Sequence, residues 1–131
     1  MSRSGYSEDI DNWALIKWRG QVTSAIRGQR GQQFLREMLA ALDAMPEKGL
    51  IAGALEENGS YCALGVLGKA RGLPLAEIDP EDRDQVAERF NIARALACEV
   101  AFENDEAGHW KWTPSRRWWH MRDWVAGQIK P

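Results

Sequence analysis

Arginines are concentrated in the N-terminal third of the chain, in a segment that glycines interrupt at positions 28 and 31. A guanidinium presents five donors in a fixed fork that fits phosphate and carboxylate groups. Free backbone N–H groups at the start of a helix after Gly28 would add to such a site. The segment therefore predicts a surface for phosphate or for an acidic protein, and the alternative is pairing with acids of the same chain. The predicted contact residues here are Arg19, Arg27, Arg30 and Arg36.

Tryptophans and cations alternate near the C-terminus, where five of the seven Trp residues lie. Positions 118 and 119 point about 100° apart on a helix, so one buried face cannot hold every indole. Trp and Arg dominate binding hot spots, and aromatic rings between cations also stack on single-stranded nucleic acid. The alternative is that spare indoles cover loops and pack on Trp13 and Trp18. The predicted contact residues here are Arg116, Arg117, Trp119 and Arg122.

Cys62 is the candidate nucleophile of the chain. At a helix N-terminus its thiol pKa would fall, and His109 or His120 with a carboxylate could complete a thiol-dependent enzyme. The apolar residues 63–67 that follow predict burial instead, and a buried Cys is usually an inert small hydrophobe. A non-enzymatic protein is therefore the simpler interpretation.

Carboxylates gather at residues 103–106, just before His109. A metal or acid–base site is one interpretation. The other is a helix end whose acids oppose the helix dipole and are offset by Arg116, Arg117 or the N-terminal arginines. The two Cys and two His residues have no zinc-site spacing, so we expect no metal and no cofactor.

Residues 83–100 have the outline of a helix-turn-helix, with a turn at Asn91. Phosphate neutralisation supplies most non-specific DNA affinity, and acids surround this unit. A plain helical hairpin is therefore the favoured interpretation. The acids are Asp79, Glu81, Asp82, Asp84, Glu88, Glu99, Glu103, Asp105 and Glu106.

The charge of the whole chain conceals an uneven distribution. The 131 residues carry a net charge of −2, but residues 1–36 carry +3, residues 37–106 carry −9 and residues 107–131 carry +4. With 44% apolar residues, the length predicts a single domain covering residues 1–131. We find no secretion signal and no stretch that could span a bilayer, and we expect a cytoplasmic protein with reduced thiols and no membrane contact.

Hydrophobic periodicity predicts an all-α domain of five or six helices, with a possible short β-hairpin around residues 50–66. Asn58-Gly59 is a hairpin signal, but the spacing of Cys62, Val66 and Ala70 favours a helix. Asp79-Pro80 and Thr113-Pro114 each combine a cap with a proline at the first helical position. The predicted helices are 12–27, 31–44, 61–71, 80–90, 91 to about 104, and a last helix after residue 113.

Seven sequence segments resemble a family of small uncharacterised proteins found in proteobacterial genomes and their prophages. The resemblance covers nearly the whole chain and includes an Arg-Ser-Gly-Tyr-Ser motif, a Cys-Ala-Leu-Gly motif and an Asn-Asp-Glu motif. More loosely, residues 59–67 are similar to a cysteine-leucine-glycine signature of phage-encoded proteins. The resemblance implies a mobile-element accessory protein and carries over no site residue. The segments are residues 3–7, 18–28, 30–37, 41–48, 62–65, 104–106 and 117–125.

Three functions follow as hypotheses. The first is a non-enzymatic binder, implied by the resemblance to be phage- or prophage-encoded, that inhibits or modulates a host or rival-element protein or nucleoprotein. It would use the basic, Trp-bearing ends, which would form one face if the first and last helices pack together, or the acidic middle as a nucleic-acid mimic. The second is direct nucleic-acid binding, and the third is a thiol-dependent enzyme centred on Cys62. The sequence leaves the oligomeric state open.

Overall fold

The computed structural model describes residues 2–7, 9–108 and 111–131. These residues form an all-α domain with one short hairpin, as the sequence predicts. His109 and Trp110 lie outside the described residues. The elements are α1 (Asn12–Arg27), α2 (Gln29–Asp43), β1 (Glu56–Glu57), β2 (Ser60–Tyr61), α3 (Ala63–Ala70), α4 (Arg83–Phe90), α5 (Arg94–Asp105) and α6 (Pro114–Gln128), with a 3₁₀ turn at Leu75–Glu77.

Local capping fixes both the first and the last helix. The Asp11 side chain accepts a hydrogen bond from the Ala14 N–H at 2.8 Å, and Thr113 accepts one from the Arg116 N–H at 3.1 Å. Pro114 occupies the first turn of α6, where its missing N–H costs no hydrogen bond. These caps confirm the predicted starts of both helices.

The segment in which the sequence allows a hairpin or a helix forms both, a hairpin followed by α3. Asn58 and Gly59 adopt φ values of 54° and 82°, and the antiparallel pairs Glu56–Tyr61 and Glu57–Ser60 close the hairpin. The helix α3 begins directly afterwards. A Cβ on Gly65 would lie 1.8 Å from the Leu55 carbonyl oxygen, so glycine lets the helix lie against the hairpin.

Two helix starts in the second half differ from prediction. Asp82, rather than Asp79, caps α4 by accepting from the Gln85 N–H at 3.1 Å. Asp79 instead accepts from the Glu81 N–H within the preceding turn. Asn91 does not start a helix: it ends α4 at a φ of 54°, and α5 begins at Arg94.

One hydrophobic core draws side chains from all six helices. The helix α2 packs on α3 and α6, and α5 packs on α1, α3, α4 and α6. Both α1 and α6 pack against α2 and α5, and a groove separates α1 from the end of α6. The predicted packing of the first helix on the last into one face is therefore wrong. None of the described helices is long and apolar enough to cross a membrane.

Candidate functional site

Three of the predicted arginines lie at one end of the molecule, where α1 ends and α2 begins. Arg27, Arg30 and Arg36 are exposed there together with Lys130. The Lys130 ammonium donates to the Arg27 carbonyl at 2.6 Å, and the Arg36 guanidinium donates to the Lys130 carbonyl at 3.2 Å. Within the described residues, none of these four cations has a carboxylate partner within 4 Å. We call them the basic cluster.

Two other predicted arginines pair with acids of the chain itself. Both terminal nitrogens of Arg19 donate to the buried Glu99 carboxylate at 2.8 Å. The Arg122 Nε donates to Asp43 at 3.2 Å. For Arg19 the intramolecular alternative is therefore the one observed.

The prediction that Arg117 is a contact residue is wrong, because only 7% of its surface is exposed. Its Nε donates to the Asn104 carbonyl at 2.8 Å, and its Nη1 donates to the Leu50 carbonyl at 3.5 Å. Carbonyls near the C-terminal end of a helix lack partners within the helix and attract cations. Arg117 thus supplies an internal structural bond and has little surface to offer a partner.

Trp119 and the partly buried Trp112 and Trp124 line a shallow depression of about 700 Å³ along α6. Trp119 is 54% exposed, and the Arg116 guanidinium lies 5.3 Å from the Trp112 ring centre. Trp118, one position earlier, is 3% exposed and donates its indole N–H to the Leu42 carbonyl at 3.1 Å. The α6 indole surface consists of Trp112, Arg116, Trp119, His120, Asp123 and Trp124.

The N-terminal segment, residues 2–7, is tied to the C-terminal end of α5. Arg3 donates to both carboxylate oxygens of Asp105 at 2.7 and 2.6 Å, and Ser4 donates to Glu106. Burial alone would raise the pKa of Asp105, but Arg3 overrides burial and lowers that pKa. A cation was expected at this acidic end from Arg116, Arg117 or the N-terminal arginines, and Arg3, which lies in no periodic pattern and was not singled out, supplies it.

Cys62 is fully buried beneath this segment. Its sulfur accepts hydrogen bonds from the Gly65 N–H and from Arg3, each at 3.4 Å, and so caps α3. A substrate has no access to a sulfur enclosed in this way. His120 bonds Glu103 at 2.9 Å instead. The described part of the chain contains no group of three His, Cys, Asp or Glu side chains that could hold a metal.

A pocket of about 380 Å³ opens between the N-terminal segment, α1 and α5. We call it the N-terminal pocket. Its floor and walls are mostly apolar, and three guanidiniums and several hydroxyls complete the lining. The lining residues are Ser4, Gly5, Tyr6, Ser7, Ile10, Leu15, Trp18, Arg19, Arg83, Arg94, Cys98 and Phe102.

Tyr6 connects this pocket to the core. Its hydroxyl donates to Glu99 at 2.8 Å and accepts from the Trp18 indole N–H at 2.9 Å. Burial raises the pKa of Tyr6 far above its usual range, and burial also raises the pKa of the Cys98 thiol. Both groups are therefore neutral at physiological pH, and the only formal charges on the described lining are cationic.

Large exposed hydrophobic side chains cluster beside the pocket rather than on α6. Four of the five in the described residues lie within residues 10–16, and Trp119 is the fifth. Trp13 and Ile16, one helical turn apart, are 66% and 64% exposed. The α1 apolar surface consists of Ile10, Trp13, Leu15 and Ile16.

No protein-family model, curated protein or solved structure matches the chain. Inference about function therefore rests on the geometry of these surfaces.

Proposed function

We propose that this protein acts without catalysis, by binding another protein through the α1 apolar surface. The concentration of exposed hydrophobic side chains on residues 10–16 carries the proposal. Exposed hydrophobic residues scattered singly are normal on a protein surface, whereas a contiguous group marks a contact site. An indole with two-thirds of its surface in water is an anchor that a partner pocket would bury.

The surroundings of this surface suit a protein partner. Lys17 lies 5.4 Å from the Trp13 ring centre, and Asp9 and Asp11 precede it along the chain. Charged groups around an apolar centre are the usual anatomy of a reversible interface. A partner from a host cell or a rival mobile element, as the resemblance implies, stays a prediction.

The test is capture with paired variants. We expect a protein retained in stoichiometric amounts by the wild-type chain to be lost with the double variant Trp13→Ala, Ile16→Ala. Trp119→Ala, which removes an exposed indole from the other surface, is the matched control and should retain it. Retention of every bound protein by the double variant, or its loss with Trp119→Ala alone, would reject the α1 apolar surface as the contact.

The basic cluster supports direct nucleic-acid binding as a second candidate function. Arg27, Arg36 and Lys130 are linked by hydrogen bonds through backbone carbonyls, which leaves donors free for phosphate. Binding through phosphates weakens steeply as salt rises. We expect the double variant Arg27→Gln, Arg36→Gln to bind single-stranded DNA more weakly and with a smaller salt slope, while Arg89→Gln changes neither. Equal affinity of the wild-type chain and the double variant for single-stranded DNA would exclude the basic cluster as the binding site.

A further inference from the structure

The N-terminal pocket has the size of a small-molecule site. Its walls come from four separate parts of the chain, namely the N-terminal segment, α1, the start of α4 and α5. Apolar contact is provided by Leu15, Trp18 and Phe102. Small-ligand sites measure roughly 300–1,000 Å³ and are mostly apolar with a few placed polar groups. At about 380 Å³, this pocket suits a compact ligand rather than a segment of folded protein.

The charges at the pocket are unbalanced in one direction. Arg19 is paired with Glu99, and Arg94 lies 3.5 Å from Asp84, on a pair that is largely exposed. The half-buried Arg83 donates only to the carbonyls of Ser2 and Arg3 among the described residues. Its charge therefore has no carboxylate partner there, and no described lining residue is acidic.

A glycine permits this placement of Arg83. Gly5 has a φ of +71°, a conformation that L side chains rarely adopt. A Cβ at this position would lie 2.5 Å from the Arg83 Cζ atom, so a side chain here would displace the guanidinium. The turn at Gly5 thus brings the guanidinium against the backbone beside the pocket.

We propose that the N-terminal pocket binds a small organic anion that carries one apolar group, of the class of aromatic carboxylates. The apolar group occupies the space between Leu15, Trp18 and Phe102. The carboxylate receives charge-assisted hydrogen bonds from Arg83, with Arg94 adding a second positive charge at the rim. Trp13 and Ile16 of the α1 apolar surface do not line the pocket, whereas Ile10 and Leu15 belong to both, so the two sites adjoin.

Calorimetric titration of the full chain at physiological salt provides the first test. The probes are indole-3-acetate and tryptamine, which share the indole and carry opposite charges. We expect one molecule of indole-3-acetate per chain, bound at least about tenfold more tightly than tryptamine, because one charge-assisted hydrogen bond is equivalent to about this factor. Equal binding of the two probes, or no binding of indole-3-acetate at millimolar concentration, overturns the proposal.

Paired arginine variants locate the anion. Arg83→Met should weaken indole-3-acetate binding about tenfold, whereas Arg89→Met, on the same helix but outside the pocket, should leave the affinity unchanged. Arg94→Met tests the rim at an exposed side chain whose loss leaves the fold intact, and we expect about a threefold weakening. The ligand would lie elsewhere if Arg94→Met left the affinity unchanged and Arg83→Met weakened binding no more than Arg89→Met does. The double variant Trp13→Ala, Ile16→Ala should bind the probe normally, which separates this site from the protein contact.

Discussion

The α1 apolar surface and the α6 indole surface both expose tryptophan to solvent, but the two differ in the residues that surround the indole rings. On α6, Arg116 lies over Trp112, and Trp119 packs edge-on against Trp118 with ring centres 4.9 Å apart. On α1, Lys17 lies 5.4 Å from the Trp13 ring centre, but the ring is 66% exposed among other exposed apolar residues beside the N-terminal pocket. An exposed indole that already packs against another ring of its own chain offers less new contact to a ligand. The neighbours of each ring, rather than the number of tryptophans, therefore favour α1 as the binding region.

The two regions also differ in how they are built. The α6 indole surface comes from one helix and from Trp112, two residues before it. The N-terminal pocket joins residues 4–19 to residues 83–102, and the Arg3–Asp105 ion pair anchors the segment that forms its wall. A surface on a single helix keeps its shape when one tertiary contact is lost, whereas a pocket between distant segments depends on the contacts that hold those segments together. Four predictions test this comparison.

The largest effect is expected inside α6, between two adjacent indoles. Trp118→Ala should lower the free energy of unfolding by about 4 kcal/mol, because it empties a buried site and removes the bond to the Leu42 carbonyl. Trp119→Ala should lower it by less than about 1 kcal/mol, since its ring is half exposed. Urea denaturation measures both. Similar losses in the two variants would show that the exposed indole is structural, which would remove the contrast with α1.

Next in size is the pair that anchors the pocket wall. Arg3→Met should lower the free energy of unfolding by about 3 kcal/mol, because Asp105 loses its partner in a site where Arg3 itself is 4% exposed. Hydrogen exchange should then increase in residues 2–7 and at the start of α1, while α6 stays protected. The control Arg116→Met removes an exposed cation and should change stability by no more than about 0.5 kcal/mol. Equal exchange in both variants would contradict the anchoring role.

Acid titration should detect the Arg3–Asp105 pair through a smaller change in the free energy of unfolding. Arg3 lowers the pKa of Asp105 in the folded state below its value in the unfolded chain, near about 3.9. The resulting stabilisation is present above the unfolded pKa and is lost as pH falls through the folded pKa. Unfolding free energy should therefore decrease below about pH 4, and Asp105→Asn should reduce that slope.

Glu37 gives the control for this titration. Its hydrogen bonds from Arg71 lower its pKa in the same direction, but its side chain is 38% exposed. Solvent screening weakens such pairs, so Glu37→Gln should change the acid slope less than Asp105→Asn does. The opposite order would mean that the anchor of the N-terminal segment is not the Arg3–Asp105 pair.

The smallest change in stability is expected at the α1 apolar surface. Trp13→Lys should leave the free energy of unfolding within about 0.5 kcal/mol of wild type, because the ring has few contacts to lose. It should nevertheless raise the ammonium sulfate concentration needed for precipitation more than Trp119→Lys does, since it removes the most exposed of the four apolar side chains on residues 10–16. An equal shift for both would make the two surfaces equivalent.

Sequence patterns predicted the helices well where caps are local. The predicted bounds 12–27 match α1, and Thr113-Pro114 starts α6 as expected. The start of α4 was wrong because Asp79-Pro80 and Asp82 are both plausible caps three residues apart. In the structure Asp79 lies in the turn that follows buried Ile78 and accepts a hydrogen bond within that turn, which leaves Asp82 to cap α4.

The candidate site was predicted only in part. Exposure of Trp119 follows from its position next to the buried Trp118, and the sequence pattern contained that much. Arg83 was assigned to a helical hairpin with no role at a ligand site, and Arg3 to no element. No periodic signal marks either arginine, because its partners lie about eighty or more residues away.

The amino-acid sequence by itself determined the all-α class, the caps of α1 and α6 and the excess of tryptophan over what one core can bury, and it left a hairpin at Asn58-Gly59 open beside a helix. These features depend on interactions within a few residues or on a helical period. Only the tertiary structure decided which cation pairs with which acid, that Arg117 is internal, and that a pocket forms between residues 4–19 and α5. Electrostatic and packing energies depend on distance in space, and the fold alone sets those distances.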